Sequence, residues 1–217
     1  MDKVKIAVVY VFASVQPQIY EPYARRFAQQ YVKHPPGVTD HELHVVVNGP
    51  KITPHEEAIF SPLVPNYMYH DSSGKDVGAH RLAARVIPCD LIIFLGGPCW
   101  PGKPMWLDRI ANVYEEFGPA LYGNYCFHAP APHVRTTFYW GPPHIFNSHT
   151  LPVHNDLRYM WEHGQESITR HCFKLGFPVY QVTWSGVYSI EHWRHVEEQD
   201  CLCFDQHTER LSYGYGW

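Results

Sequence analysis

The adjacent pair Glu162-His163 offers the two side-chain types that most often move protons in enzymes, a carboxylate and an imidazole. Apolar residues recur at helical spacing after the pair, which predicts a helix from about Glu162 to Leu175. The dipole of that helix would keep a carboxylate at its amino end ionised, as a general base requires. Glu162 is therefore the candidate base, and His163 is an alternative base or an orienting group. The structural interpretation is that Glu162 only lines the first turn.

A second polar group lies in the segment YHDSSGKDVGAHRLAARVIPCDLIIFLGG, which places a turn, a short helix and a buried strand in succession. Asp76 follows the turn and either caps the helix or contacts a ligand. The apolar run Leu91 to Leu95 is typical of a strand covered on both faces, and it ends at Gly96 and Gly97, where backbone can approach a ligand closely. Ligands of open α/β sheets bind at the carboxyl ends of strands, so we expect the functional site here.

Strands and helices alternate through the first two thirds of the chain. Besides the run just described, the sequence predicts strands at Val4 to Phe12, Leu43 to Val47 and Tyr67 to Tyr69, and helices at Tyr20 to Tyr31, His55 to Phe60 and Leu107 to Phe117. This alternation is typical of a mainly parallel sheet flanked by helices. Strand ends near Ser14 and Asn48 would then share one edge with the polar turn. The structural interpretation of Asn48-Gly49 is a simple turn.

The last third of the chain is less regular. Strands are predicted at Ala120 to Phe127, Val134 to Trp140 and Val179 to Trp184. The alternation in the second of these is typical of a half-exposed strand, with Arg135 on the exposed face as a phosphate ligand or a solvated charge. The tail after Glu191 is polar and aromatic without a usable period. Since no repeat or long linker interrupts the chain, we predict a single domain over residues 1–217.

Composition and missing motifs exclude several classes of function. A formal net charge of −4 and the lack of a basic tract argue against nucleic acid binding. No apolar run reaches the roughly 20 residues of a membrane span, and the start shows no signal-peptide cleavage site, so we expect a cytoplasmic protein. The glycine-rich signatures of dinucleotide and P-loop enzymes and the nucleophile elbow of α/β hydrolases are absent. The 16 histidines form no His-x-x-x-His pair, so no zinc site is predicted.

Taken as a set, these segments resemble a glycosyltransferase of the GT-A fold, in the nucleotide-diphospho-sugar transferase superfamily. The likeness rests on VVYVFASV, VVVNG, YHDSSGKDVGAHRLAAR, DLIIFLGGP, PHVRTT and WEHG, and it extends over roughly Lys3 to Tyr188. Within the superfamily the chain resembles the small amino-terminal glycosyltransferase domain of a chlorella virus protein and related bacterial proteins. The resemblance implies an α/β fold with a mixed, mostly parallel central sheet flanked by helices.

The resemblance also implies a set of donor-binding residues. They are Phe12, Ala13 and Ser14 beside the base and ribose, Asn48 at the next strand end, Asp71, Ser73, Lys75 and Asp76 along the ribose, phosphates or sugar, and Gly96, Gly97 and Arg135 nearby. One departure matters, because Gly96-Gly97-Pro98 stands where most of these enzymes carry an Asp-x-Asp pair that binds Mn²⁺ or Mg²⁺. Either Asp71 or Asp76 helps to bind a divalent cation, or Lys75, Arg135 and backbone amides neutralise the diphosphate without one.

The function implied is transfer of a sugar from a UDP- or dTDP-linked donor to a hydroxyl of a glycan or glycoprotein. A catalytically degenerate nucleotide- or carbohydrate-binding protein is the alternative, which the missing Asp-x-Asp favours. A sugar nucleotidyltransferase is less favoured, because the glycine-rich, lysine-containing loop expected after the first strand is absent.

Overall fold

The computed structural model describes residues 3–127, 131–149, 157–195 and 200–208. Its strands are β1 (Ile6–Phe12), β2 (Glu42–Asn48), β3 (Asn66–His70), β4 (Leu91–Leu95), β5 (Cys99–Pro101), β6 (Leu121–Gly123), β7 (Cys126–Phe127), β8 (His133–Val134), β9 (Phe138–Gly141), β10 (Val179–Val182), β11 (Val187–Tyr188) and β12 (Cys203–Asp205). Its helices are α1 (Pro17–Lys33), α2 (Pro54–Phe60), α3 (Lys75–Val86), α4 (Trp106–Phe117), α5 (Pro143–Asn147), α6 (Leu157–His163) and α7 (Ile168–Lys174), with 3₁₀ turns at Ser61–Leu63 and Ile190–His195. None of these helices combines the length and apolar character needed to cross a membrane.

Eight strands form the central sheet in the order β11-β10-β6-β9-β4-β1-β2-β3. Strands β4, β1, β2 and β3 run parallel to their neighbours in that order, whereas β9 lies antiparallel to both β4 and β6. The helices cover both faces of the sheet. The predicted fold class, a mixed and mostly parallel sheet flanked by helices, is therefore confirmed.

Side-chain alternation along β1 explains the two layers of helices. Tyr10 and its neighbours on one face pack with Phe27 of α1 and with α4. Val9 and its neighbours on the other face pack with Ala79 of α3 and with Trp161 of α6. Because every residue of β1 is buried, this strand is apolar throughout instead of alternating between apolar and polar side chains.

The predicted half-exposed strand from Val134 to Trp140 is wrong. The chain is extended only at β8 and β9, and it turns at Thr136-Thr137 between them. Every residue from Thr136 to Trp140 is buried, so neither face of this segment is exposed. The alternation of side-chain types reflected packing on two sides of the chain and did not mark a solvent-exposed face.

The described part of the tail after Glu191, residues 192–195 and 200–208, is packed onto the fold, although its sequence shows no period. Strand β12 pairs antiparallel with β5, with Phe204 opposite Trp100. Trp193 and the segment from Cys201 to Asp205 are buried. The tail thereby brings a buried carboxylate, that of Asp205, to the sheet edge described next.

Candidate functional site

The carboxyl ends of β1, β2, β3 and β4 lie at one edge of the sheet, as the parallel pairing requires. Because β9 is antiparallel, its amino end reaches the same edge, and the backbone N–H of Gly96 donates to the carbonyl of Thr137 at 2.8 Å. The segments that carry the predicted site residues therefore converge on one edge. This is the place where α/β sheets bind ligands.

Hydrogen bonds join the ends of β1, β2 and β3. The hydroxyl of Ser14 donates to the carbonyl of Pro50 at 2.8 Å, and Nδ1 of His70 donates to Oδ1 of the buried Asn48 at 2.7 Å. Burial lowers the pKa of His70, and the nearby Asp71 carboxylate opposes that shift. Asn48 is thus a fixed buried acceptor. His70, which the sequence analysis did not single out, positions it.

The polar turn before α3 is conformationally unusual. Ser72, Gly74 and Lys75 all have positive φ, at 64°, 70° and 55°. Oδ1 of Asp71 accepts hydrogen bonds from the hydroxyl and the backbone N–H of Ser73, and these bonds lower the pKa of Asp71. Left-handed conformations at two non-glycine residues cost energy, and such strain clusters at functional sites.

Asp76 does not cap α3, which corrects one interpretation of the sequence. The capping residue is Gly74, and no side chain caps the helix there. Asp76 lies in the first turn instead. Full burial raises the pKa of Tyr139 well above its usual value, and the carboxylates of Asp76 and Glu162 add to the rise. Both carboxylates therefore lie near the same buried phenol, which also hydrogen-bonds Nδ1 of His80 at 2.9 Å.

Most of the predicted donor-binding residues are buried or only partly accessible, Ser14 and Asn48 among them. Phe12 is fully buried against Phe60, so its side chain belongs to the core, and Ala13 is half-buried. Gly96 and Gly97 are buried as well. A Cβ at Gly97 would lie 3.1 Å from the Tyr20 ring and 3.3 Å from the Val11 carbonyl oxygen. The close approach at Gly97 is thus to protein atoms.

Arg135 forms an ion pair inside the protein, where the sequence analysis had placed an exposed charge. Its Nη1 lies 3.0 Å from Oδ2 of Asp205, and the two side chains are 16% and 1% exposed. The guanidinium also lies 5.9 Å from the centre of the Tyr125 ring. A buried carboxylate therefore compensates the Arg135 charge, which reduces its pull on a phosphate.

Glu162 lies at the carboxyl end of a helix, so the predicted helix from Glu162 to Leu175 is wrong. The chain forms α6 and α7 instead, and Ser167 caps the second by accepting from the N–H of Arg170. Gly164 and Ser167 are ordinary helix-end and helix-start residues, and these are the signals that sequence reasoning missed. The helix dipole therefore does not stabilise the Glu162 carboxylate.

Thr136 holds the Glu162 carboxylate through two hydrogen bonds. Oε2 of Glu162 accepts from the backbone N–H of Thr136 at 2.9 Å and from its hydroxyl at 2.5 Å. Oε1 lies 3.0 Å from Nε2 of His163. Glu162 is 8% exposed, whereas the side chain of His163 is 27% exposed. The predicted catalytic pair is thus in direct contact, and the histidine is its more accessible member.

His133 joins this pair from β8. Its ring packs edge-on against that of His163, with ring centres 4.4 Å apart, and its Nδ1 donates to the carbonyl of Ala131 at 2.8 Å. Burial lowers the pKa of His133. One ligand atom from each of His133, Glu162 and His163 falls within 4.8 Å of the others. No local spacing pattern reveals this cluster, because His133 comes from a distant segment.

Three of the solved structures that are similar to this chain illustrate the shared fold. A putative nucleotide-diphospho-sugar transferase from Desulfovibrio desulfuricans G20 has a TM-score of 0.51, 14% identity and coverage of 83% of this chain and 80% of its own. CMP:2-keto-3-deoxy-manno-octonic acid synthetase complexed with CTP has a TM-score of 0.50, 11% identity and coverage of 83% and 89%. Mannosyltransferase PcManGT from Pyrobaculum calidifontis, in complex with GDP-Man and Mn²⁺, has a TM-score of 0.50, 9% identity and coverage of 68% and 47%.

The fold of the chain is similar to that of these nucleotide-sugar enzymes, one of them a putative nucleotide-diphospho-sugar transferase. At these identities the likeness establishes the fold alone, and the chain spans about half the length of the mannosyltransferase, 47% of which it covers. No protein-family model and no curated protein matches the sequence. The resemblance to the chlorella virus domain stays a prediction, and the particular activity is argued from the site.

Replacing Asp76 with asparagine separates a ligand contact from a structural role. If Asp76 binds the donor or its cation, Asp76→Asn weakens donor binding at least about tenfold, or about 1.4 kcal/mol. A carboxylate that only complements the helix dipole contributes about 0.3–1 kcal/mol to stability. Calorimetric titration and thermal unfolding of both proteins measure the two effects. Unchanged donor affinity would assign Asp76 a structural role.

Proposed function

We propose that the chain is a glycosyltransferase that takes a sugar from a UDP- or dTDP-linked donor and transfers it to a hydroxyl of a glycan or glycoprotein. One observation carries the proposal. Three polar groups lie along the carboxyl edge of the sheet: the turn before α3, the buried Asn48 and the Glu162-His163 pair. An anion-binding element and a proton acceptor are thereby combined at one edge.

The donor is proposed to bind across the ends of β1, β2 and α3. The first turn of α3 carries the exposed Lys75, whose cationic side chain suits a diphosphate. The backbone N–H groups of Lys75 and Val77 already donate within the protein, to the carbonyl of Ser72 and to Oδ1 of Asp76. Ser14 and Asn48 are proposed to face the nucleoside. Arg135 remains a proposed phosphate-binding residue. Because its guanidinium already pairs with Asp205, it is proposed to attract the phosphate from a distance and not to contact it.

The Glu162-His163 pair is proposed to take the acceptor proton. As that proton leaves, the acceptor oxygen bonds to the anomeric carbon, and the bond to the nucleoside diphosphate breaks. Glu162 remains the predicted base. Its contact with the more accessible His163 supports a second assignment, in which Glu162 orients the ring and the imidazole accepts the proton.

A cation on the donor diphosphate fits this edge poorly. Mg²⁺ and Mn²⁺ favour oxygen ligands, and Gly96-Gly97-Pro98 offers no side-chain oxygen. Asp71 is exposed, with Oδ1 bonded to Ser73, and Asp76 is the remaining carboxylate of the turn. We therefore propose that Lys75 neutralises the diphosphate without such an ion.

Thermal unfolding with nucleotide sugars tests this proposal. A donor at about 100 times its Kd should stabilise the fold by about 2.7 kcal/mol, because it binds only the folded state. For a chain of this size the midpoint should rise by about 5–10 °C. The free monosaccharide is the matched control and should have no such effect. No shift with any nucleotide sugar at millimolar concentration would overturn the proposal.

Product analysis separates the alternatives. A degenerate binding protein, which the lack of carboxylates at Gly96-Gly97-Pro98 favours, would show the thermal shift without transfer to any acceptor. A sugar nucleotidyltransferase would release pyrophosphate from a nucleoside triphosphate and a sugar. The connection between β1 and α1 is only the short Ala13–Gln16 segment, which leaves little room for the phosphate-binding loop that such an enzyme needs.

A further inference from the structure

Three side chains at the sheet edge have the chemistry and the spacing of a metal site. Ligand atoms of His133, Glu162 and His163 lie within 4.8 Å of one another, and they come from two separate elements, β8 and α6. Tetrahedral coordination at about 2.1 Å places ligand atoms about 3.4 Å apart. Oε1 of Glu162 and Nε2 of His163 are already 3.0 Å apart, so a small movement of His133 would complete the geometry.

The surroundings of His133 fix it in a ligating form. Its Nδ1 is bonded to the carbonyl oxygen of Ala131, which only accepts, so Nδ1 carries the proton. Nε2 therefore keeps its lone pair. Metal-bound histidines are typically oriented by this kind of hydrogen bond from the second ring nitrogen.

Neighbouring groups also orient Glu162 and His163 for metal binding. Thr136 binds Oε2 of the carboxylate with two donors and leaves Oε1 directed at His163. Nδ1 of His163 is buried and has no hydrogen-bond partner among the described residues. Because no described partner fixes the proton state of Nδ1, the ring can carry its proton there, which frees the Nε2 lone pair beside Oε1 of Glu162 for a cation.

We infer that His133, Glu162 and His163 bind one transition-metal ion of the zinc class, with a coordination position left for water or a ligand oxygen. Two imidazoles and one carboxylate suit zinc, cobalt or iron better than magnesium. The site differs from an Asp-x-Asp cation site in its ligands and in its place in the chain. It does not depend on sugar transfer. Metal bound here would occupy the lone pairs that the proposed proton acceptor needs.

Titration with Co²⁺ tests the inference directly. The full chain is stripped with a chelator and titrated with Co²⁺, and the visible absorption of tetrahedral cobalt is followed before competition with Zn²⁺. One equivalent of Co²⁺ should bind and give the strong visible absorption of a tetrahedral complex. His163→Gln, at a partly exposed position, should weaken binding more than tenfold. The matched control is His171→Gln. The centre of the His171 ring lies 4.6 Å from that of His149, and this histidine pair does not include Glu162, so the variant should bind Co²⁺ as the wild type does.

Two variants of Thr136 separate an oriented site from a chance cluster. Thr136→Val removes the hydroxyl that positions Glu162 and should weaken Co²⁺ binding about 10- to 100-fold, whereas Thr136→Ser retains the hydroxyl and should bind nearly as wild type does. Absence of tetrahedral absorption in the wild-type protein would overturn the inference. Equal affinities of wild type and His163→Gln would do so as well. Nucleotide binding is read separately, so either proposal can fail alone.

Discussion

Glu162→Gln is expected to lower sugar transfer on the order of a hundredfold or more, the usual size of general-base catalysis. Glutamine keeps the shape of the side chain, and its amide oxygen can still accept from Thr136. It can neither take the proton from the acceptor hydroxyl nor stabilise a positively charged imidazole. The amide N–H₂ would also face Nε2 of His163 and favour the opposite ring tautomer, which is costly where a histidine is the base.

Comparison with His163→Gln assigns the proton acceptor. If Glu162 is the base, the histidine variant should retain most of the turnover. If the imidazole is the base, both variants should lose turnover to a similar extent. Steady-state transfer assays give turnover, and calorimetry gives donor affinity, which should change little because the pair acts on the acceptor. Glu166→Gln, an exposed glutamate paired with Lys174, is the matched control.

Transfer by Glu162→Gln within a few fold of wild type would refute the assignment. The candidate base would then be His163 or Asp156. Asp156 lies outside the described residues. Equal loss of donor affinity and turnover would place Glu162 in the donor site. If the metal site exists, Glu162→Gln and His163→Gln should also weaken Co²⁺ binding, whereas Glu166→Gln should not, because Glu166 is not among the three ligands.

The sequence predicted the first half of the fold well because its signals are local. Long apolar runs, helical spacing and glycine or proline breaks place β1 to β4 and α1 to α4 close to where the structure has them. The same argument predicted that Ser14, Asn48 and the polar turn would share an edge. Parallel strands require that outcome once their order is known.

The second half depends on contacts between distant segments, and local patterns do not report them. Strands of two to four residues such as β8 and β9 are too short for a reliable period. The pairing of Arg135 with Asp205 joins a turn to the tail, and the tail had shown no pattern at all. The approach of His133 to the proposed catalytic pair is non-local too. Only the break between α6 and α7 had a readable local cause, in Gly164 and Ser167.

Asp205→Asn is expected to lower the free energy of unfolding by about 3 kcal/mol or more. The carboxylate is 1% exposed and compensates the largely buried Arg135, and removing one partner of a buried ion pair leaves a charge without compensation. Its Oδ1 also accepts from His207 and Thr208, and an asparagine oxygen can still make these bonds. The loss of unfolding free energy therefore measures the effect of removing the Asp205 charge. Urea unfolding, with the linear extrapolation, measures it.

A double-mutant cycle decides whether the ion pair is the cause. Arg135→Met combined with Asp205→Asn removes both charges, so the double variant should be less destabilised than the sum of the single ones. Asp40→Asn removes the same charge from an exposed pair with Lys3, where the side chains are 84% and 70% exposed, and should cost less than about 1 kcal/mol. Additive losses around the cycle would mean that the two groups do not interact. Because Thr136 follows Arg135 directly and holds Glu162, coupling here would also link the tail to the geometry of the proposed catalytic pair.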